Sequence, residues 1–537
     1  MPTIVLIQPP IQDFYHTFKR TIPYGLSCLA SILIEHGFSV QILDCLATRH
    51  TQLIEIPNEM KYLKTFYGQS DHSMIGLFHD YKHYGYSWTH ITQWIKKQKP
   101  YIVGISSLFT CYWEMAEKTA QCVKQALPNT PIVLGGHHPT ALPESVINSP
   151  YVDYVIRGEG ELSFLLLVKA IQDGREVDTI PGIVYQKPDQ KIHMSQPAII
   201  QSLNDLPLPA MQLIKSTYYQ RYKKGSAVIV TSRGCPMTCS YCSVGSSGLP
   251  YRHRSIHSVI QEIEQAVVHH HVRFIDFEDE NLSLHDTWFM NLLEELIKRF
   301  SGLNLELRAM NGLFPPSLHD EMIHAMKQAG FKTLNLSLGS MSLAQLKKFK
   351  RPDVRQGFEC AIKAAKKYHL NTNGYIIIGA PGQTAMTSLL DLLYLFDHQV
   401  LAGVSVFYPS PGSQDYATCE AMGLLPPSFS LMRSSALPID DQTTRLESVT
   451  LLRLARIANF IKLIMDSNEP IPPPEPIPNC LAGILNPSDR MNTGKKLLQW
   501  FLHDGIIRGM TKTGEIYAHQ GDNTLIHQFI HHLMPLF

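Results

Sequence analysis

Three cysteines fall within eight residues in the segment Ser232-Arg-Gly-Cys235-Pro-Met-Thr-Cys239-Ser-Tyr-Cys242. With 10 cysteines among 537 residues, a C-x3-C-x2-C spacing should arise by chance about 0.003 times. Thiolates are soft ligands suited to zinc or to iron–sulfur clusters, and each takes one coordination site. A structural zinc would need a fourth ligand. No second cysteine pair lies near enough in sequence to complete the usual zinc spacing, although a distant His or Cys could do so. On an iron–sulfur cube, three thiolates leave one iron without a protein ligand, so a small molecule can bind there at a redox metal.

Further chemistry-bearing residues sit at the ends of apolar runs. Glu278-Asp279-Glu280-Asn281 follows one run and could hold a cationic amine or stabilise a helix N-terminus. Arg308 ends the next run. A guanidinium matches both oxygens of a carboxylate, so Arg308 suits an anionic ligand group or an ordinary ion pair. Ser340 lies in Leu338-Gly-Ser-Met-Ser342, and Gly379-Ala-Pro-Gly-Gln383 ends a further run. Glycines there permit a tight turn or a close backbone approach to a flat ligand.

These groups must be carried by repeating elements. Strands are expected at Val228 to Thr231, Phe274 to Phe277, Leu303 to Arg308, Thr333 to Leu338, Gly374 to Ile378 and Val404 to Phe407. Six strand–helix units in this order predict a partial (β/α)6 barrel with its ligand site at the C-terminal strand ends. Ahead of it, Ile4 to Ile7, Val40 to Leu43, Ile102 to Ser106, Ile132 to Leu134 and Tyr154 to Ile156 alternate with helical patterns at Leu26 to Ile34 and Trp113 to Leu127. That alternation predicts a doubly wound α/β domain, with Gly37 closing its first helix. Ala47 to Tyr86 fits the alternation poorly and reads as a partly ordered insertion near the ligand face. A hairpin at Gly182 to Tyr185 and Lys191 to Met194 precedes the Pro-rich Leu206-Pro-Leu-Pro. Beyond the barrel, an amphipathic helix at Leu451 to Met465 carries Arg453, Arg456 and Lys462 on its polar side and reads as a core-facing or bracing element. The predicted division is 1–200 for the first domain, 201–225 for a linker, 226–420 for the barrel and 421–537 for a small, mostly helical C-terminal domain.

The cysteine loop, with Tyr241 before its last cysteine, resembles the signature of the radical S-adenosylmethionine superfamily, and Tyr251-Arg-His-Arg-Ser255 matches a Y-R-x-R-S stretch common in one of its branches. The resemblance implies a [4Fe-4S] cluster on Cys235, Cys239 and Cys242. It further implies chelation of the open iron by the amino and carboxylate groups of S-adenosylmethionine, then one-electron cleavage to a 5'-deoxyadenosyl radical. By the same resemblance Tyr241, Asp279, Glu280, Arg308, Ser340 and Gly379 are expected around S-adenosylmethionine: the acids on its amino group, Arg308 on its carboxylate, Ser340 at ribose and Gly379 at adenine. Met341 stands where relatives carry a glutamate, and Gln383 replaces an acid in their G-x-P-G-E turn. Tyr408-Pro-Ser-Pro-Gly-Ser413 resembles the P-x-P-G-T of the same branch.

The N-terminal series is similar to the cobalamin-binding domain that precedes the barrel in one large class of these enzymes. Ser106, Leu108, Gly135, Gly136 and Glu159 stand where that class holds the corrin and its nucleotide tail. The D-x-H-x-x-G motif that supplies an axial histidine elsewhere is absent, since no histidine has an aspartate two places before it. His137 and His138 read as a surface loop pair, and His269-His-His271 as a solvated face. The resemblance implies a cobalamin-dependent enzyme that transfers a methyl group to an unactivated carbon of a small molecule or peptide, fed by an electron donor such as flavodoxin or ferredoxin. A rearrangement, cyclisation or redox reaction, or a non-catalytic corrinoid or redox sensor, are the other readings.

Composition bounds the setting. Net charge is +1, with 44% hydrophobic and 17% charged residues, so no nucleic-acid surface and no disordered chain is expected. No run approaches the roughly 18 apolar residues of a membrane span. The chain enters a strand-like run without a basic leader, and its other cysteines (28, 45, 111, 122, 360, 419 and 480) are scattered. A reducing, cytoplasmic setting is therefore expected.

Overall fold

The computed structural model describes residues 3–16, 22–246, 248–479 and 485–536. Cys480 lies outside the described residues.

The N-terminal sheet is built from strands β1 (Thr3–Gln8), β2 (Ser39–Asp44), β3 (Ile102–Ser106), β4 (Ile132–Gly135), β5 (Tyr154–Ile156), β6 (Ile183–Gln186) and β7 (Ile192–Met194). Their order is β7-β6-β5-β4-β3-β1-β2, with β1 to β5 parallel and the β6–β7 hairpin added antiparallel. Ile4, Val5, Leu6 and Ile7 are all buried, as expected of a strand covered on both faces. Helix Tyr24–Glu35 on one side and helices Trp88–Gln98 and Trp113–Ala126 on the other contribute to two separate core clusters. Gly37, at φ 82°, ends the first helix in a left-handed turn. The order reverses between β1 and β3, so the crevice at the C-terminal ends of these two strands is the ligand position of a doubly wound sheet.

Six parallel strands follow: β8 (Lys224–Ile229), β9 (Val272–Phe277), β10 (Glu306–Ala309), β11 (Thr333–Gly339), β12 (Asn371–Ile378) and β13 (Leu401–Val406). Ladders join β8 to β9 to β10 and β11 to β12 to β13, and the bridges Leu307–Phe331 and Leu313–Leu336 close the seam between the two groups. The result is an open, six-stranded barrel.

One expectation about the fold is corrected. The stretch from 47 to 86 is an ordered element with a short helix, Leu63–Tyr67, and strands Thr51–Leu53 and Lys82–Tyr84 that form a three-stranded sheet with Ile11–Asp13. Met60, Leu63, Tyr67 and Ile75 are buried in the same core cluster as barrel and C-terminal residues such as Phe289, Ile461 and Phe529. Its polar composition hid this because the apolar residues are widely spaced. Helix Arg445–Asp466 is the expected brace, and Arg453 on its polar side is 1% exposed. Its guanidinium donates to Phe66 O at 2.7 Å and meets His519 Nδ1 at 3.1 Å, while His519 Nε2 meets Asp71 at 2.8 Å. Arg453 thus faces the insertion and the C-terminal residues, while Arg456 on the same helix is exposed.

Candidate active site

Beyond β8 the chain forms a two-residue ladder, Ser232–Arg233 paired antiparallel with Arg252–His253, and the cysteine loop hangs from this hairpin. Asp279, beyond the end of β9, fixes its root. One carboxylate oxygen accepts from Thr231 N (3.1 Å), Thr231 Oγ1 (2.7 Å), Ser232 N (2.6 Å) and Ser232 Oγ (2.5 Å). Gly234 has φ 80°, and a Cβ there would sit 2.5 Å from Pro250 O, so the turn out of the hairpin requires glycine. Farther on, Ser240 N donates to Phe349 O (3.0 Å) and Ser240 O accepts from Asp415 N (2.8 Å). The loop is thus pinned to the ends of three barrel units.

Cys239 is buried and Cys235 and Cys242 are half-buried, and none is in a disulfide. Burial raises the Cys235 and Cys242 thiols, and the neighbouring thiols of the same loop add to the rise. A cubane takes each thiolate on a different iron, so the ligands need not converge on one point. Among the described residues no trio of His, Cys, Asp or Glu converges to hold a single ion. Three soft donors on one glycine-turned loop fit a cluster.

The residues expected around S-adenosylmethionine divide into two groups. Tyr241 packs edge-on against Phe349 (5.1 Å) and accepts from Arg351 (3.1 Å), which also donates to Ser337 O (2.8 Å). Glu280 is partly buried beside the loop, and burial raises its carboxyl to about 7. These two remain on the loop's side of the barrel mouth. Asp279, 2% exposed, is instead committed to the root of the loop. Arg308 is paired with Asp276 and lies over the Phe274 ring at 5.1 Å. Ser340 is fully buried and donates to Asp391 (2.8 Å), so the structure turns it into the wall behind β11. Gly379 (φ 69°) opens a self-capped turn in which Gln383 bonds Ala380 N and Ile377 O, with the start of helix Arg445–Asp466 behind it. The amide at 383 therefore closes the turn through both a donor and an acceptor, which a carboxylate could not.

On the facing domain, Ser106, Leu108, Gly135 and Gly136 lie at the C-terminal ends of β3 and β4. Gly136 has φ 120°, and a Cβ there would meet Ser107 O at 2.5 Å, so the two loops touch through backbone. The Ser107 hydroxyl is buried without a partner, and Leu108 is 44% exposed. His137 is exposed. His138 is not a surface residue: it is fully buried between Trp113 (5.0 Å) and Phe429 (5.3 Å), and burial lowers its imidazole to about 4. Glu159 faces the barrel rather than the sheet crevice, since Arg252 grips its carboxylate at 2.8 and 2.9 Å. The short helix His137–Ala141 meets the barrel directly. A Cβ on Gly412 would lie 3.7 Å from Ala141 Cβ and 3.9 Å from Ser243 Cβ, next to Cys242. Loops at the C-terminal strand ends of a doubly wound sheet, one of them held close by Gly136, fit a cofactor bound on that face.

Arg233, Arg252 and Arg351 escaped sequence reasoning as site residues. Tyr251-Arg-His-Arg-Ser255 was visible as a motif, but the acid that Arg252 meets, Glu159, lies 93 residues away.

A three-thiol loop at the mouth of an open six-stranded barrel, facing the ligand edge of a doubly wound sheet, defines the cluster-bearing radical enzymes that carry a second cofactor domain. The B12 binding domain family matches residues 48–168, and the Radical SAM superfamily matches residues 229–392. The chain is 31% identical over 389 residues to an uncharacterised methyltransferase of Pyrococcus horikoshii, covering 71% of this chain and 75% of that one. It is 25% identical over 470 residues to the cytidylyl-2-hydroxyethylphosphonate methyltransferase of Streptomyces wedmorensis, covering 80% and 84%. Among solved structures, the cobalamin-dependent S-adenosylmethionine radical enzyme OxsB superposes with TM-score 0.63 at 14% identity, covering 94% of this chain and 72% of that one. The chain belongs to the radical S-adenosylmethionine enzymes, in the branch with a B12-binding domain ahead of the barrel.

Proposed function

We propose that the protein is a cobalamin-dependent radical S-adenosylmethionine methyltransferase acting on an unactivated carbon of a small molecule or peptide. The observation that carries this reading is the direct apposition of the β4 loop, through Ala141, to Ser243 and Gly412 beside the cysteine loop. When bound, the cluster and corrin supply reductive cleavage of S-adenosylmethionine and a transferable methyl group.

The chain's own residues do the rest. Cys235, Cys239 and Cys242 hold the cluster. Tyr241 and Arg351 wall its barrel side. Glu280 sits at the mouth, its carboxyl held near neutral by burial, where it can take a hydrogen bond from the methionine amino group. Arg308, beneath it on β10, keeps one face of its guanidinium against Phe274 and one edge on Asp276. Ser106, Leu108 and Gly136 form the seat of the corrin, with no axial histidine of the D-x-H-x-x-G type. An electron donor such as flavodoxin or ferredoxin delivers the reducing equivalent. Among the described residues, no helix is long and apolar enough to cross a membrane.

The test is direct. Reduced, reconstituted protein loaded with cobalamin and given S-adenosylmethionine labelled in its methyl carbon should yield labelled methylcobalamin and S-adenosylhomocysteine. Formation of 5'-deoxyadenosine alone would move the protein to the non-methylating reactions of the class.

A further inference from the structure

The charged groups between the two domains are unlike a surface salt-bridge pair. Glu159 and Glu161 follow β5 in Arg157-Gly-Glu-Gly-Glu161, and both are buried, at 8% and 6% exposed. Arg252 donates to both oxygens of Glu159 (2.8 and 2.9 Å) and also to Ile200 O. Arg233 reaches Glu161 at 2.5 Å and Glu159 at 3.4 Å. Glu159 further accepts from Ile200 N at 2.5 Å.

The two arginines are opposite partners of one ladder, Arg233 facing Arg252, and that ladder is the hairpin from which the cysteine loop hangs, with Arg233 two residues before Cys235. The two acids sit on the loop that leaves the cofactor sheet. Gly158, at φ 80°, is paired with Ala198, and any side chain there would overlap the Ala198 backbone. The acids are therefore presented from a backbone with little room to move.

We propose that Glu159, Glu161, Arg233 and Arg252 form a latch that positions the corrin-binding domain against the cluster loop, and that it sets how efficiently a methyl group passes between the two. The inference rests on the methyltransferase reading. Buried ion pairs of this kind add little net stability over apolar packing but are directional, so they fix a geometry. An apolar contact between the same segments would join the domains without fixing their register. Here one bidentate guanidinium registers three segments at once: the loop after β5, the strand-like 198–200 and the hairpin. These residues touch no reacting atom, and they are positioning residues.

The test uses the full chain with Glu159→Gln, Arg252→Gln and the double variant. Hydrogen–deuterium exchange of the protein without added cofactors is the first measurement. Each single variant should speed exchange at 156–161 and 198–200 about tenfold while the rest of both domains keeps its protection. Because the pair acts as a unit, the double variant should lie within about twofold of the worse single one. The second measurement is product partition in the loaded enzyme. Each variant should keep iron content and 5'-deoxyadenosine formation within about twofold of the parent, while S-adenosylhomocysteine formation falls at least fivefold. Unchanged exchange at these segments, additive effects in the double variant, or an unchanged product ratio would each overturn the latch. If the parent protein makes neither product, the methyltransferase reading falls, and the exchange measurements still decide whether the four charges hold the domains in register.

Discussion

Single side chains at this site are chosen by what they leave unpaired when removed. Asp279 collects four donors on one oxygen, all from the two residues that root the cysteine loop. Asp279→Ala strands those donors in a buried place, and the expected loss is about 3 kcal/mol or more of unfolding free energy, measured by denaturant titration, together with loss of iron on reconstitution. Asp391 gives a pH prediction. Burial raises its carboxyl to about 7, against hydrogen bonds from Met341 N and Ser340 that oppose the rise. Between about pH 4 and pH 7 the folded chain therefore keeps a proton that the unfolded chain releases. The stability this group contributes is full below about pH 4 and is lost as pH rises to about 7. In Asp391→Asn the difference in unfolding midpoint between pH 5 and pH 7.5 should shrink relative to the parent; an unchanged difference would mean that Asp391 is ionised in the fold. The type and place of Asp279 were legible in the sequence as an acid beyond the second barrel strand. Its partners were not, because Thr231 and Ser232 lie 48 and 47 residues away. Ser340 was readable as a strand-end serine, but the direction of its side chain depends on Asp391, which no motif marks.

Among elements, strands and their end loops were the most legible part of the chain. The six barrel strands and five parallel strands of the first sheet fall where apolar runs bounded by polar or glycine-rich segments lie, because a doubly covered strand must be apolar on both faces. The order of the insertion between β2 and β3 is hidden because its buried residues, Met60, Leu63, Tyr67, Ile75 and Tyr81, are widely spaced and pack partly on Phe14 from outside it, at 5.8 Å from Tyr67 and 5.2 Å from Tyr81. Such a cluster has no period to detect. The loop after β4 makes a prediction of its own. Gly136→Ala would force a left-handed backbone on an L-residue and drive a methyl into Ser107 O. The expected cost is about 1–3 kcal/mol. Corrin retained after desalting, read from its visible absorbance, should fall while iron content stays at the parent level.

At the scale of the whole molecule, one core cluster runs from the insertion through the barrel to the C-terminal helices, so these parts stabilise one another. Arg453 is the polar centre of that junction, with Asp71 and His519 on one side and Phe66 O on the other. Arg453→Ala should cost about 3–5 kcal/mol, seen as a lowered thermal midpoint, because it leaves His519 and the backbone acceptors Phe66 O and Gln520 O facing a void. The amphipathic pattern of the helix foretold a bracing element, but not the partners of Arg453. Arg453 on the polar side of an apolar helix shows its role only when its partner elements are placed, and those partners, Phe66, Asp71 and His519, come from both ends of the chain. The domain order, by contrast, was legible from the switch in strand series near residue 225, and the two cofactor faces follow from it. The central claim is that Cys235, Cys239 and Cys242 present an open cluster iron to S-adenosylmethionine. Its most direct measurement is the electron paramagnetic resonance of the anaerobically reconstituted, reduced protein, before and after S-adenosylmethionine is added, with 5'-deoxyadenosine assayed in the same samples. The account predicts about four irons per chain, a reduced-cluster signal that shifts on addition, and 5'-deoxyadenosine that disappears when any one of the three cysteines is replaced by alanine. A signal indifferent to S-adenosylmethionine, with no 5'-deoxyadenosine from the parent protein, would contradict it.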